Sequence, residues 1–212
     1  MKRILYTFLL LFAVSIQVEA KKPMREWLKT MPDSVMPLLT KNNRLDFIDY
    51  YDAKMEAVVT NRLDGKSRMT KLTDDYIQIS YTPSTNITMR LLPVNDSTNV
   101  LCMVTTIVGT ASDSRIAFFD AQWQPLETTL HLTEPCIDDF RSISQNNPTD
   151  EIWDKMDIFF RTYCMEAENT ELKCTITTPN YLSKEDKEAI TPYLRNKPLI
   201  YCWTNGKYQR NE

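Results

Sequence analysis

Glycine and histidine are the scarce residues. The 212-residue chain holds only Gly65, Gly109 and Gly206, and a single histidine, His131. Average usage would supply about 15 glycines in this length. Isolated glycines at these positions cannot write a G-x-G-x-x-G turn, a phosphate-cradling loop or a G-x-S-x-G nucleophile elbow. One histidine excludes H-E-x-x-H and any site with two histidine ligands. C-x-x-C is missing, which removes zinc knuckles and thioredoxin-type sites, and no D-x-D-x-D-G calcium loop occurs. No cofactor and no metal are therefore expected. Basic runs are missing too, so neither nucleic acid nor an anionic membrane surface is expected as a partner.

What is present begins with a leader. Lys2 and Arg3 precede the apolar run Ile4 to Ile16, and Val18-Glu19-Ala20 sets small residues at the usual cleavage positions. This reads as a secretory signal peptide over residues 1–20. The run of about 13 residues is short of the roughly 20 that a membrane span requires. The expectation is a periplasmic or secreted product, cleaved after Ala20, with no integral membrane segment. Losing Lys2, Arg3 and Glu19 takes the net charge from −3 to −4. The full sequence is 42% hydrophobic and 10% aromatic, enough to bury a core. Five cysteines (Cys102, Cys136, Cys164, Cys174 and Cys202) leave at least one unpaired, and several lie in strand-like runs where they serve as small buried hydrophobes.

Along the mature chain, helical spacing dominates residues 24–55. Trp27, Leu28 and Met31 share a face, Pro32-Asp33-Ser34 punctuates, and Val35 to Leu39 predicts a short apolar helix. Asn42 and Asn43 offer N-caps to a helix whose inner face is read as Leu45, Ile48 and Tyr51 or Asp52, with Met55 beyond. The period then changes to two. Segments 57–61 and 66–72 flank the hairpin signal Asp64-Gly65. Strands are predicted over 76–81, 87–91, 100–108 and 116–119, the 100–108 run being apolar on both faces like a central strand.

Residues 131–148 are polar, with Pro135, Pro148 and Asn146-Asn147, and mark a candidate lobe boundary. A helix from about Asp150, strands over 158–167 and 172–178, a Ser183-capped helix to about Leu194 and a strand over 199–203 complete the pattern; the tail after Gly206 is read as loose. Leu101 to Thr106 resembles Lys173 to Thr178, as a tandem repeat or chance would produce. The expected fold is α+β. N-terminal helices precede an antiparallel sheet over 21–130, and a smaller helix-plus-antiparallel-sheet unit follows over 131–212, either as a second unit or within one continuous domain.

Few residues carry chemistry. His131, between Leu130 and Leu132, has no sequence partners for a triad and reads as structural. Asp46, Asp49 and Asp52 recur at three-residue spacing, so Asp46 and Asp49 share a helix face. They are the weak catalytic candidates for a carboxylate-based hydrolase, a chemistry that needs neither glycine loop nor histidine. Tyr50, Tyr51 and Trp123 are the binding candidates, since exposed aromatics suit protein or glycan contacts. The favoured function is a non-enzymatic module binding a protein or glycan partner, with the carboxylate-based envelope hydrolase as the alternative.

The stretch Met31-Pro32-Asp33-Ser34-Val35-Met36-Pro37-Leu38-Leu39-Thr40-Lys41-Asn42-Asn43-Arg44-Leu45-Asp46-Phe47-Ile48-Asp49-Tyr50-Tyr51 resembles the N-terminal signature of a family of exported Bacteroidales proteins catalogued as a domain of unknown function. Arg115 to Leu126 is similar to that family as well. The resemblance implies a location in a Gram-negative envelope and supplies no activity and no catalytic residues. The tandem helix-plus-sheet arrangement also resembles β-lactamase-inhibitor-protein-like folds, a likeness of fold alone.

Overall fold

The computed structural model describes residues 21–142 and 150–211. The signal peptide expected over 1–20 and the centre of the predicted lobe boundary, including Asn146-Asn147 and Pro148, lie outside the described residues. Two helices open the chain, α1 (Met24–Thr30) and α2 (Lys41–Asp52). A meander follows: β1 (Val58–Thr60), β2 (Lys66–Leu72), β3 (Tyr76–Thr82), β4 (Thr85–Pro93), β5 (Asn99–Ile107), β6 (Asp113–Phe119) and the two-residue β7 (Pro125–Leu126). These pair in sequence order into one antiparallel sheet. Short helices α3 (Thr128–His131) and α4 (Asp150–Trp153) lead to β8 (Arg161–Met165) and β9 (Leu172–Ile176). Helix α5 (Lys184–Ile190) precedes β10 (Leu199–Thr204) and β11 (Lys207–Asn211). This second sheet is antiparallel with order β11-β10-β9-β8. The molecule is thus α+β, as the change from helical to two-residue periodicity predicts.

Sheet one is covered on both faces, because side chains alternate across a strand. Ile77, Ile79, Ile87, Met89, Leu91 and Leu101 join Trp27, Leu28, Phe47 and Ile48 of the helices in a first core. Leu92, Val100, Cys102, Val104, Ile116 and Phe118 point the other way and join Tyr163, Met165, Leu172, Cys174 and Tyr201 of sheet two in a second core. Polar bonds stitch the sheets together. Tyr76 OH donates to the Met165 carbonyl at 3.1 Å, and buried Arg90 donates to the Glu166 carbonyl at 2.7 Å while pairing with Asp75 at 2.9 Å.

Several local expectations change. Residues 31–40 form turns rather than a helix; Pro32 and Pro37 restrict the backbone, and Met36 and Leu39 plug the first core from an irregular segment. The N-cap of α2 is Thr40. Its Oγ1 accepts from Asn43 N at 3.1 Å, and Asn43 Oδ1 accepts from Thr40 N at 3.0 Å, a reciprocal capping box. The inward face of α2 is Arg44, Phe47 and Ile48, while Leu45 is half-buried and Met55 is exposed. In the β1–β2 hairpin Asp64, not Gly65, takes the left-handed conformation, with φ of 58°. Helix α5 stops at Ile190 and passes into a 3₁₀ turn over 191–193, since Pro192 has no N–H to continue it. The tail is not loose: β11 pairs with β10 from Thr204↔Lys207 to Ile200↔Asn211.

Candidate functional site

Helices α1 and α2 do not cover all of sheet one. Over β5 and β6 the helix-side face stays open as a groove of about 550 Å³. Strand alternation decides its floor. Met103 and Thr105 of β5 lie opposite Ala117 and Arg115 of β6, all on the odd-numbered face. One wall is Ser34 and Val35, from the turn segment between the helices; the other is Phe119, Trp123 and Pro125. Ile107 stands at the end, 62% exposed.

The turn after β6 builds the second wall. Asp120 Oδ1 accepts from Gln122 N at 2.9 Å and Gln124 N at 2.8 Å, and Trp123 adopts a left-handed φ of 63°. That conformation is costly for an aromatic residue. It carries the indole into contact with Trp27, ring centroids 5.5 Å apart, and Phe119, 5.6 Å apart. Trp123 is only 5% exposed, and its Nε1 is buried without a hydrogen-bond partner among the described residues.

Charge in the groove is asymmetric. Asp113 is engaged, its Oδ1 accepting from Arg161 N at 3.2 Å. Arg115 is exposed, and its side chain makes no ion pair or hydrogen bond with any described residue. The groove thus combines a mixed floor, apolar at Met103 and Ala117 and polar at Thr105, an aromatic wall and one uncommitted guanidinium.

The sequence candidates divide. Trp123 forms a groove wall. Tyr50 and Tyr51 are half-buried and pack against the first core, leaving part of each ring at the surface. Asp46 is half-buried and Asp49 exposed on α2; neither side chain forms an ion pair or hydrogen bond with a described residue. Neither lines the groove or a second, polar pocket beside β11. His131 is a structural residue. Its Nδ1 lies 2.7 Å from the Gly206 carbonyl, and its ring packs 5.0 Å from Phe118 and 6.0 Å from Trp203. All five cysteines are unpaired thiols, and burial pushes the Cys174 thiol up to about 12. Among the described residues no group of three or more metal-ligating side chains converges, and no helix is long and apolar enough to cross a membrane.

Sequence reasoning misses Arg115, since one arginine in a strand carries no local signal. The signal that was available is periodic. With β5 and β6 paired, Arg115 falls on the odd-numbered face among Met103, Ala117 and Phe119.

The sequence model of a family described as "Protein of unknown function (DUF3256)" matches residues 15–208. A solved structure described as "Structure of a domain of an uncharacterized protein from Porphyromonas gingivalis W83" is similar at 26% identity and a TM-score of 0.80. The match covers 91% of this chain and 98% of that one. No curated protein matches.

Proposed function

The chain belongs to the family described as Protein of unknown function (DUF3256), and from that starting point we propose that it is an exported, non-enzymatic module whose β5–β6 groove binds an extended segment of a partner protein. Export rests on the Lys2-Arg3 start, the apolar run and the Val18-Glu19-Ala20 site. Binding rests on the groove, and within it on one observation, the uncommitted Arg115, which lies opposite Thr105 and between Asp113 and Ala117 beside the apolar Met103, Phe119 and Trp123.

That combination defines the occupant. An extended peptide places alternate side chains about 7 Å apart on one side. Apolar ones fit Met103, Ala117 and the Phe119–Trp123 wall, and a carboxylate meets Arg115. Apolar contact supplies affinity at about 25 cal/mol per Å² buried, before ordering costs. The charge supplies register and on-rate. Asp46 and Asp49 line neither the groove nor the pocket beside β11, so nothing in the groove favours the hydrolase alternative.

Peptide-library selection against the wild-type protein tests the reading. Selected peptides are expected to carry an Asp or Glu among apolar residues. Arg115→Glu reverses the charge and Ala117→Trp fills the floor; each is expected to weaken a selected peptide by about tenfold or more, with the melting temperature unchanged. Selection without acidic enrichment, or undiminished binding to both variants, refutes it.

A further inference from the structure

Trp123 combines two costs in one residue. The first is its backbone, held at a left-handed φ of 63°. Asp64 and Asn205 share that conformation, but their short polar side chains suit it; a bulky aromatic there is an outlier. The turn imposes it. Trp123 N donates to the Asp120 carbonyl at 2.9 Å, Asp120 N donates to the Gln124 carbonyl at 3.0 Å, and Asp120 Oδ1 accepts from Gln122 N and Gln124 N. Strained backbone persists only where its surroundings over-determine it, and it gathers at ligand clamps and switches.

The second cost is polar. Trp123 is 5% exposed, and its Nε1 is sealed from solvent with no hydrogen-bond partner among the described residues. A buried donor left unpaired forfeits the hydrogen bond that water gave it in the unfolded chain. Other indoles of this chain are satisfied. Trp27 Nε1 donates to the Lys22 carbonyl at 3.1 Å, and Trp203 Nε1 to the Pro93 carbonyl at 2.6 Å. Arg90 Nε is also sealed and unpartnered, but the other nitrogens of that guanidinium are bonded to Asp75 and the Glu166 carbonyl. Trp123 has a single side-chain nitrogen, and it lines the groove.

An indole N–H only donates, so its partner must be an acceptor. The ring stands 5.6 Å from Phe119 and 5.5 Å from Trp27, centroid to centroid. A side chain seated on that aromatic wall is apolar, and the acceptor it brings is its own main-chain carbonyl. Arg115 and Phe119 are four residues apart on β6, about 13 Å at 3.3 Å per residue. An extended segment lying along β6 covers that distance in the same number of residues.

Given the β5–β6 groove as the peptide site, we infer that the Trp123 indole N–H is its second recognition donor. On binding, the ring turns about its χ2 torsion, whose energy well is broad. The N–H then donates to a main-chain carbonyl of the segment, about four residues from the carboxylate that meets Arg115. Arg115 reads a side chain and Trp123 reads the backbone. Together they fix the register of a segment whose sequence is constrained at few positions.

A peptide selected against the wild-type chain, titrated into the full mature protein, tests this. The indole N–H resonance of Trp123 should move downfield at saturation, while that of Trp203, already bonded to Pro93, stays in place. Trp123→Phe keeps a ring in the wall and removes the donor; it should weaken the peptide about fivefold. A purely structural Trp123 would instead lower the melting temperature and leave the indole resonance where it was. An unmoved Trp123 resonance at saturation, or a folded Trp123→Phe protein that binds as tightly as wild type, overturns the assignment and leaves the groove reading intact. Binding that survives both Arg115→Glu and Ala117→Trp removes the groove reading, and the role of Trp123 with it.

Discussion

Replacing Arg44 by methionine should be the most damaging single change in the helical layer. Arg44 is 1% exposed, and its guanidinium joins three segments. Nε donates to the Leu28 carbonyl at 3.3 Å, near the end of α1. Nη1 donates to the Leu39 carbonyl at 2.7 Å and to Asp33 at 2.9 Å, and Nη2 donates to the Met31 carbonyl at 2.5 Å. Methionine keeps the apolar stem and removes every donor, leaving three backbone carbonyls short of their partner. Each orphaned buried acceptor costs about 1–3 kcal/mol, partly relieved by water. Breaking a buried charged network typically costs about 3–5 kcal/mol in all, and we expect that range. In a chain of this size each kcal/mol moves the midpoint by about 2–4 °C, so Tm should fall by on the order of 10 °C. Chemical denaturation followed by tryptophan fluorescence and circular dichroism measures it. Arg44→Lys should recover little, because one ammonium cannot span four acceptors in a plane. Arg62→Met removes the other, exposed partner of Asp33 and should cost less than about 1 kcal/mol. An Arg44→Met protein within about 1 kcal/mol of wild type would refute the reasoning.

Two further outcomes follow from the same geometry. The hydrogen bond from Arg44, reinforced by Arg62, holds Asp33 below its ordinary value of 3.8. A lowered carboxyl contributes stability that is complete above the unfolded-state value and is lost as pH falls through the folded one. Unfolding midpoints should therefore drop below about pH 4 in wild type, and less steeply in Asp33→Asn; equal slopes would count against the link. Cysteine labelling should split into classes: exposed Cys136 and Cys164 react with a maleimide first, half-buried Cys202 more slowly, and buried Cys102 and Cys174 only on unfolding. Mass spectrometry of timed samples reads this, and early labelling at Cys102 would contradict the second core.

Strands β1 to β6 of sheet one were legible because their apolar residues alternate or, in β5, fill both faces, whereas the two-residue β7 is too short to show a period. Where that signal is thin, reading fails. Lys207 to Asn211 contains one aromatic among polar residues, so β11 has no hydrophobic alternation to detect. Asn205-Gly206, a strong hairpin dipeptide, was the available clue and would have set Arg210 beside Tyr201. Val35 to Leu39 misleads in the opposite sense. Apolar residues at helical spacing there are core plugs on turns, and the flanking prolines outweigh the pattern. Arg44 was invisible because its role depends on carbonyls 5 to 16 residues away in sequence. The stretch that carries the family resemblance, 31–51, is where Met31, Asp33, Leu39 and Arg44 close on one another. The candidate site was half legible. Trp123 was named for its aromaticity, whereas Arg115 matters through a pairing register that only a folded sheet supplies.

The two-sided burial of the first sheet also sets a timetable for synthesis. Strands β1 to β7 are neighbours both in the chain and in the sheet, and all have emerged by Leu126. Local pairings of this kind close rapidly, and the helices that cover one face are already present. The opposite face, with Leu92, Val100, Val104, Ile116 and Phe118, gains its cover only from later residues, Leu132 and Phe140 first and then 163–208. A half-made chain therefore presents a finished sheet with one bare apolar side. That side is a natural foothold for a holding chaperone, and a truncation after Leu126 should aggregate rather than yield a smaller soluble protein.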